Sequence, residues 1–269
     1  MRYEPIKKSL GRFFADPPFL RKTLYFLLDL LLLRTWHVKK ALRNIARQFP
    51  DDATILDAGS GFGQYTWYMA RMNKRWKIKA LDVDNDLIKV SNKFFNKIGL
   101  SERVTFATAD LTKLSDQNCY DIILCIDVME HLQEDGVVFN NFYTSLKKNG
   151  TILISTPSDK GGSDVHHVDE HSFIDEHVRD GYGIEEITEK LLTAGFKNIK
   201  AIYTYGKPGN ISWHLSMKYP IKMLNISSFF FIILPFYYIV FYPFSIILNI
   251  FDLCLTHKTG TGLLVTAGK

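Results

Sequence analysis

ILDAGSGFG, residues Ile55–Gly63, decides how the rest of this chain is read. Its first four residues make a short, mostly apolar strand. Gly59, Gly61 and Gly63 then let the backbone turn tightly and approach a ligand closely. A helix follows, so the free N–H groups of its first turn face that ligand. The dinucleotide fingerprint is GxGxxG, whereas this loop is GxGxG preceded by Asp57, so the ligand need not be a pyrophosphate.

Outward from the loop, strand and helix signals alternate. KIKALDV (Lys77–Val83), RVTFATA (Arg103–Ala109), YDIILCI (Tyr120–Ile126) and TILIST (Thr151–Thr156) read as strands, with Asn149-Gly150 as a turn before the last of these. YDIILCI is apolar almost throughout, as a strand buried on both faces should be. Helices are expected over Tyr65–Met72, Leu87–Ile98, Val137–Leu146 and Ile184–Ala194, the last stopped by Gly195. FKNIKAIYTYG gives a sixth strand and GLLVTAGK a seventh. This alternation implies an α/β, Rossmann-like sheet with ligands at the carboxyl ends of its strands.

Those ends carry acids. Asp57, Asp82, Asp110 and Asp127 stand at the tips of four consecutive strands. Such a crevice repels a diphosphate and suits a nucleoside bearing a sulfonium and an ammonium, which favours S-adenosylmethionine (SAM) over a nicotinamide dinucleotide.

The stretches ILDAGSGFG, KALDVD, TFATADL, YDIILCIDVMEHL and LKKNGTILISTPS, in this order and spacing, resemble the class I SAM-dependent methyltransferases, in the broad group that includes quinone and other small-molecule enzymes. The resemblance covers roughly residues 51–196 and the closing strands. It implies a seven-stranded mixed sheet whose last strand runs antiparallel between the fifth and sixth. It also implies that Asp57, Gly59, Ser60, Gly61 and Gly63 hold the methionine part of SAM. Asp82 and Val83 would meet the ribose, Asp110 and Leu111 the adenine, and Asp127 would lie beside the cofactor facing the acceptor.

Two motifs point elsewhere and are set aside. ADPPF (Ala15–Phe19) is similar to the DPP(F/Y) element of methyltransferases acting on base amino groups, but that element follows the fourth strand; here Pro17-Pro18 reads as a helix start. Asp127, Glu130 and His131 resemble the acidic-x-x-Glu-His pattern of ubiquinone-pathway enzymes, which implies a divalent metal. They offer too few fixed ligands, so no metal is expected. The loop SDVHHVDEHSFIDEHVRDGYG holds His166, His167, His171 and His177 near the site and lacks zinc spacing. An imidazole suits proton removal from a phenol or carboxylic acid. His131 and His177 are the candidate catalytic groups, against the alternative that they only cap and hydrogen-bond.

The net charge of +5 is too small to argue for nucleic acid. Eleven cations and three acids crowd residues 1–49 among apolar residues. That pattern fits either a helix on an anionic membrane or one packed on the domain. The run Leu24–Leu33 contains Asp29 and leads to no cleavage site, so it is not read as a signal peptide. Cys119, Cys125 and Cys254 form no CxxC and fit a reducing compartment.

The uncharged run Ser227–Phe251 raises the question of a membrane span. If GLLVTAGK rejoins the sheet, only zero or two crossings are possible, and two need about 40 apolar residues. Pro235 and Pro243 are expected to break the run. A broken helical hairpin dipping into one leaflet follows, with a buried lid or a dimer contact as alternatives. The organisation is thus residues 1–50 as basic amphipathic helices, 51–206 as the SAM-binding core, 207–259 as the apolar insertion and 260–269 as the last strand. A cytoplasmic SAM-dependent methyltransferase at the inner face of a membrane, acting on a lipophilic small molecule, is the expectation. A soluble enzyme with an enclosed apolar pocket, or a non-catalytic SAM-binding partner protein, is the alternative.

Overall fold

The computed structural model describes residues 17–161, 178–227 and 229–269. Among these, seven strands form one sheet: β1 (Thr54–Ala58), β2 (Lys77–Asp82), β3 (Val104–Thr108), β4 (Tyr120–Ile126), β5 (Leu146–Pro157), β6 (Lys197–Thr204) and β7 (Gly262–Gly268). Their order is β3-β2-β1-β4-β5-β7-β6. All pairs are parallel except those of β7, which runs antiparallel to both β5 and β6. GLLVTAGK therefore occupies the expected place.

Helices cover both faces, which explains the continuous apolar strands. On one face, α1 (Pro18–Leu31), α2 (Leu33–Ala46), α3 (Gln64–Met72) and α4 (Asn85–Lys97) bury Tyr25, Leu42, Met69 and Phe94 against Ile55, Ile122 and Leu124. On the other, α5 (Asp135–Ser145) and α6 (Ile184–Thr193) bury Phe139, Phe142 and Leu191 against Leu56, Ile123 and Ile154. Alternate residues of β1 and β4 thus serve opposite cores.

Two expectations need correction, and one open alternative is narrowed. Asn149-Gly150 is no turn between elements but an irregularity within β5: the register with β4 shifts between Tyr120 and Ile122, and Asn149 takes φ 66° to absorb the extra residues. The basic residues near the N-terminus are partly structural, since Arg21 is buried and Lys39 pairs with Asp29. The prolines, finally, do not break the apolar run. The insertion is a hairpin whose first arm is α7 (Lys207–Trp213), a π-helical turn (His214–Lys218) and α8 (Tyr219–Ile226), and whose second arm is one helix, α9 (Phe230–Cys254). Pro235 and Pro243 both lie on its exposed side, where each loses one N–H bond without disturbing the packed side.

The arms are antiparallel. Asp252 Oδ2 accepts from the Gly209 N–H at 3.0 Å near the base, and the Ser212 hydroxyl donates to the Ser245 carbonyl at 3.1 Å. Further out, Tyr237 and Tyr238 donate to the carbonyls of Leu215 and Ser216 at 2.8 and 2.9 Å. At 1.5 Å per residue α9 is about 37 Å long.

Candidate active site

Strand order reverses between β1 and β4, and the crevice lies outside the carboxyl ends there. The glycine loop forms its floor. The N–H groups of Gly59 and Ser60 both donate to the Leu81 carbonyl at 2.8 Å, which ties the loop to the end of β2. Gly59, Gly61 and Gly63 have φ of 76°, 50° and 75°. A Cβ on Gly59 would stand 2.1 Å from Val128 Cγ2, whereas one on Gly61 would meet nothing within 4 Å. Gly61 therefore faces open space where a ligand can lie. Gly63, at the N-cap of α3, offers no side-chain cap, so the first N–H groups of that helix stay available.

The acids at the strand tips divide into different environments. Asp57 is 2% exposed and accepts from the Thr66 hydroxyl of α3. Burial pushes its pKa up to about 7, the Thr66 hydrogen bond opposing and the nearby Asp82 carboxylate assisting. Asp82 accepts from the N–H groups of Gly61 and Asp84 at 2.8 and 3.0 Å and borders the crevice, with Val83 exposed beside it. Asp110 caps the 3-10 turn Leu111–Lys113 by accepting from the Thr112 N–H and hydroxyl at 2.9 and 2.7 Å, and these bonds hold its carboxyl below the usual range. The Leu111 side chain is buried in the core. Asp127, at the end of β4 with φ 51°, forms an ion pair with Arg34.

Arg34 is the residue that sequence reasoning missed. It opens α2, its N–H donates to the Tyr205 hydroxyl at 2.9 Å, and its Nε is buried with no hydrogen-bond partner. The Ser60 hydroxyl is likewise buried and unpaired, and the Tyr65 hydroxyl is buried beside the Arg34 guanidinium. Buried polar atoms are nearly always bonded, so the Ser60 hydroxyl and the Arg34 Nε leave hydrogen bonds open to a polar ligand. The signal in the sequence was a lone cation inside LLLRTW, here read only as part of a basic segment.

Glu130 and His131 share the 3-10 turn Met129–His131 after β4. Glu130 is buried, accepts from the Thr156 hydroxyl at 3.1 Å, and burial raises its carboxyl above the usual range, with His131 and Arg34 opposing. His131 is exposed. His177, with His166, His167 and His171, lies outside the described residues. The segment just after it is fastened to the same turn: the Val178 N–H donates to the Glu130 carbonyl at 3.0 Å, and Arg179 to the Leu132 carbonyl at 2.8 Å. No cluster of metal-ligating side chains occurs among the described residues.

The residues fit SAM. A methionine end carries an ammonium and a carboxylate side by side, and Asp127 with Arg34 presents the complementary pair. The open space at Gly61 and the acceptor oxygens of Asp82 suit the ribose side.

A family model described as "Methyltransferase domain" matches residues 50–199. Phosphoethanolamine N-methyltransferase 1 of Triticum aestivum is 30% identical over 155 residues, 55% of this chain and 29% of that protein. The ubiquinone biosynthesis O-methyltransferase of Rickettsia prowazekii is 26% identical over 102 residues, 38% of this chain and 39% of that one. The chain spans less than a third of the plant relatives it matches. The solved structure of Haemonchus contortus phosphoethanolamine N-methyltransferase 2, in complex with phosphomonomethylethanolamine and S-adenosylhomocysteine, has a TM-score of 0.60 at 19% identity, covering 86% of this chain and 53% of that one. At that identity the likeness is one of fold.

Proposed function

Because this chain belongs to the SAM-dependent methyltransferases, we propose that its acceptor is a lipophilic small molecule (a quinone, polyene, isoprenoid or lipid-like compound) met at the inner face of a membrane. The cofactor supplies a methyl group on a sulfonium, and the S–CH3 bond breaks as the bond from acceptor to methyl forms. The chain's own task is alignment and exclusion of water. In this reading Arg34 and Asp127 grip the methionine carboxylate and ammonium, the Gly59–Gly63 loop with Ser60 seats the chain between them, and Asp57 braces that loop through Thr66. Asp82 with Val83 receives the ribose, and Asp110 with Leu111 borders the adenine. His131 takes the proton of an acidic acceptor, and His177 is the second candidate.

One observation carries the acceptor class: α9 is amphipathic the wrong way round. Its inward stripe is Tyr238, Tyr242, Ser245, Asn249 and Asp252, while Phe236 and Ile239 point outward at 68% and 71% exposure. Along its most apolar stretch almost no residue is buried. A helix packed as a dry lid would show the reverse. The hairpin base also reaches the crevice, because Asp252 accepts from the N–H of Tyr205, whose hydroxyl meets Arg34. An apolar surface joined to the mouth supports an acceptor drawn from lipid.

The test is transfer from radiolabelled SAM into an extract of the host cell, followed by partition between organic and aqueous phases. Label in the organic phase supports the proposal. Label confined to the aqueous phase overturns the lipophilic acceptor. Label in neither phase, from protein that binds S-adenosylhomocysteine, favours the non-catalytic partner.

A further inference from the structure

Helix α1 shows the same inversion as α9, at the opposite end of the sequence. Its buried residues are Arg21 and Tyr25. The Arg21 guanidinium donates to the carbonyls of Phe62 and Val90 at 2.6 and 3.1 Å, to Ser91 Oγ at 2.7 Å and to the Tyr25 hydroxyl at 2.8 Å. The Tyr25 hydroxyl also donates to the Phe62 carbonyl, within the glycine loop. These bonds fix which side of α1 faces the domain. The other side presents Phe19 and Phe26, 74% and 62% exposed, with Leu27 exposed beside them. Residues 19 and 26 are two turns apart and share a face. Sequence periodicity alone would put these aromatics in the core and Arg21 in water.

The two inverted helices meet. The Tyr242 hydroxyl of α9 donates to the Leu30 carbonyl at the end of α1. Charge says what covers their outer faces. The one acid of α9, Asp252, is turned inward to His37 at 2.8 Å. The one acid of α1, Asp29, is engaged by Gln64 and Lys39. Lys22 on α1 and Lys207 and Lys222 on the first arm of the hairpin are exposed. An apolar face fringed by cations and free of outward acids complements an anionic phospholipid bilayer.

We propose that α1 is a second membrane-contact element, which lies with α9 on an anionic bilayer and so seats the domain at two points. This rests on the membrane-surface reading above and adds an element to it.

Flotation with vesicles of phosphatidylcholine and phosphatidylglycerol tests it, using the full chain. The variants are Phe26→Asp/Leu27→Asp in α1 and Phe236→Asp/Ile239→Asp in α9. Phe19→Asp is a milder α1 variant in case the double one misfolds. Thermal stabilisation by S-adenosylhomocysteine reports the fold in each. The expected result is a drop of about tenfold in vesicle partition for the α1 variant with cofactor binding retained. Flotation of folded α1 variants like wild type, with the α9 variant lost, overturns the role of α1 and leaves the proposed function standing. A wild type that does not float, or that only forms dimers by light scattering, overturns both. Equal binding to pure phosphatidylcholine overturns the anionic preference.

Discussion

Asp57 holds a carboxyl where burial disfavours its charge. Its pKa is pushed up to about 7 from 3.8, so the native state binds the proton more tightly than the unfolded chain does. The stability this gives is complete below about pH 4 and is lost as pH rises toward 7. Urea unfolding at pH 5 and pH 8 should show wild type losing stability on the order of a few kcal/mol across that interval, and Asp57→Asn losing far less. Equal pH dependence in the two would contradict the buried placement. The glycines separate fold from ligand. Gly61→Ala meets no protein atom within 4 Å, so it should cost only about 1 kcal/mol of left-handed strain while its methyl fills ligand space. Calorimetry should show S-adenosylhomocysteine binding weakened about tenfold or more with the protein still folded. Arg34→Ala should weaken the same ligand by about 2 kcal/mol or more, since a charge-assisted bond is lost and Asp127 is left unpaired. Unchanged binding would remove Arg34 from the cofactor grip.

Among the elements, the hairpin depends on its base. Asp252 is fully buried and meets His37 at 2.8 Å, His257 at 3.2 Å and the N–H groups of Gly209 and Tyr205 at 3.0 and 3.2 Å. Asp252→Ala strips all of them at once and should destabilise by about 3 kcal/mol, read by chemical unfolding, with earlier proteolysis in residues 207–259. Most elements were legible because strands buried on both faces write themselves as apolar runs ending in glycine or aspartate. Those that misled did so for local reasons. Asn149-Gly150 has turn chemistry, but β5 continues through it because Asn tolerates a positive φ. Pro235 and Pro243 have breaker chemistry, yet an exposed helix side absorbs them.

At the scale of the molecule, the proposed cofactor residues could be named from the sequence because they stand at consecutive strand tips, each beside its own motif. Arg34, Tyr65 and Tyr205 were not readable as a group. They are brought together only in the fold, where Arg34 on α2 meets Tyr205 just after β6 and Tyr65 on α3. The inverted faces of α1 and α9 were equally hidden, since composition shows that a segment is apolar but not which side is turned inward. We propose that methyl transfer happens where the apolar hairpin meets lipid. The most direct measurement compares wild type with Phe236→Asp/Ile239→Asp, using total lipid of the host cell as acceptor, once as vesicles and once dispersed in detergent. Wild type is predicted to label lipid in both forms, and the variant to label it only in detergent. Equal labelling of vesicles by the two proteins, or label found only in water-soluble products, would rule out methyl transfer at the lipid-facing hairpin.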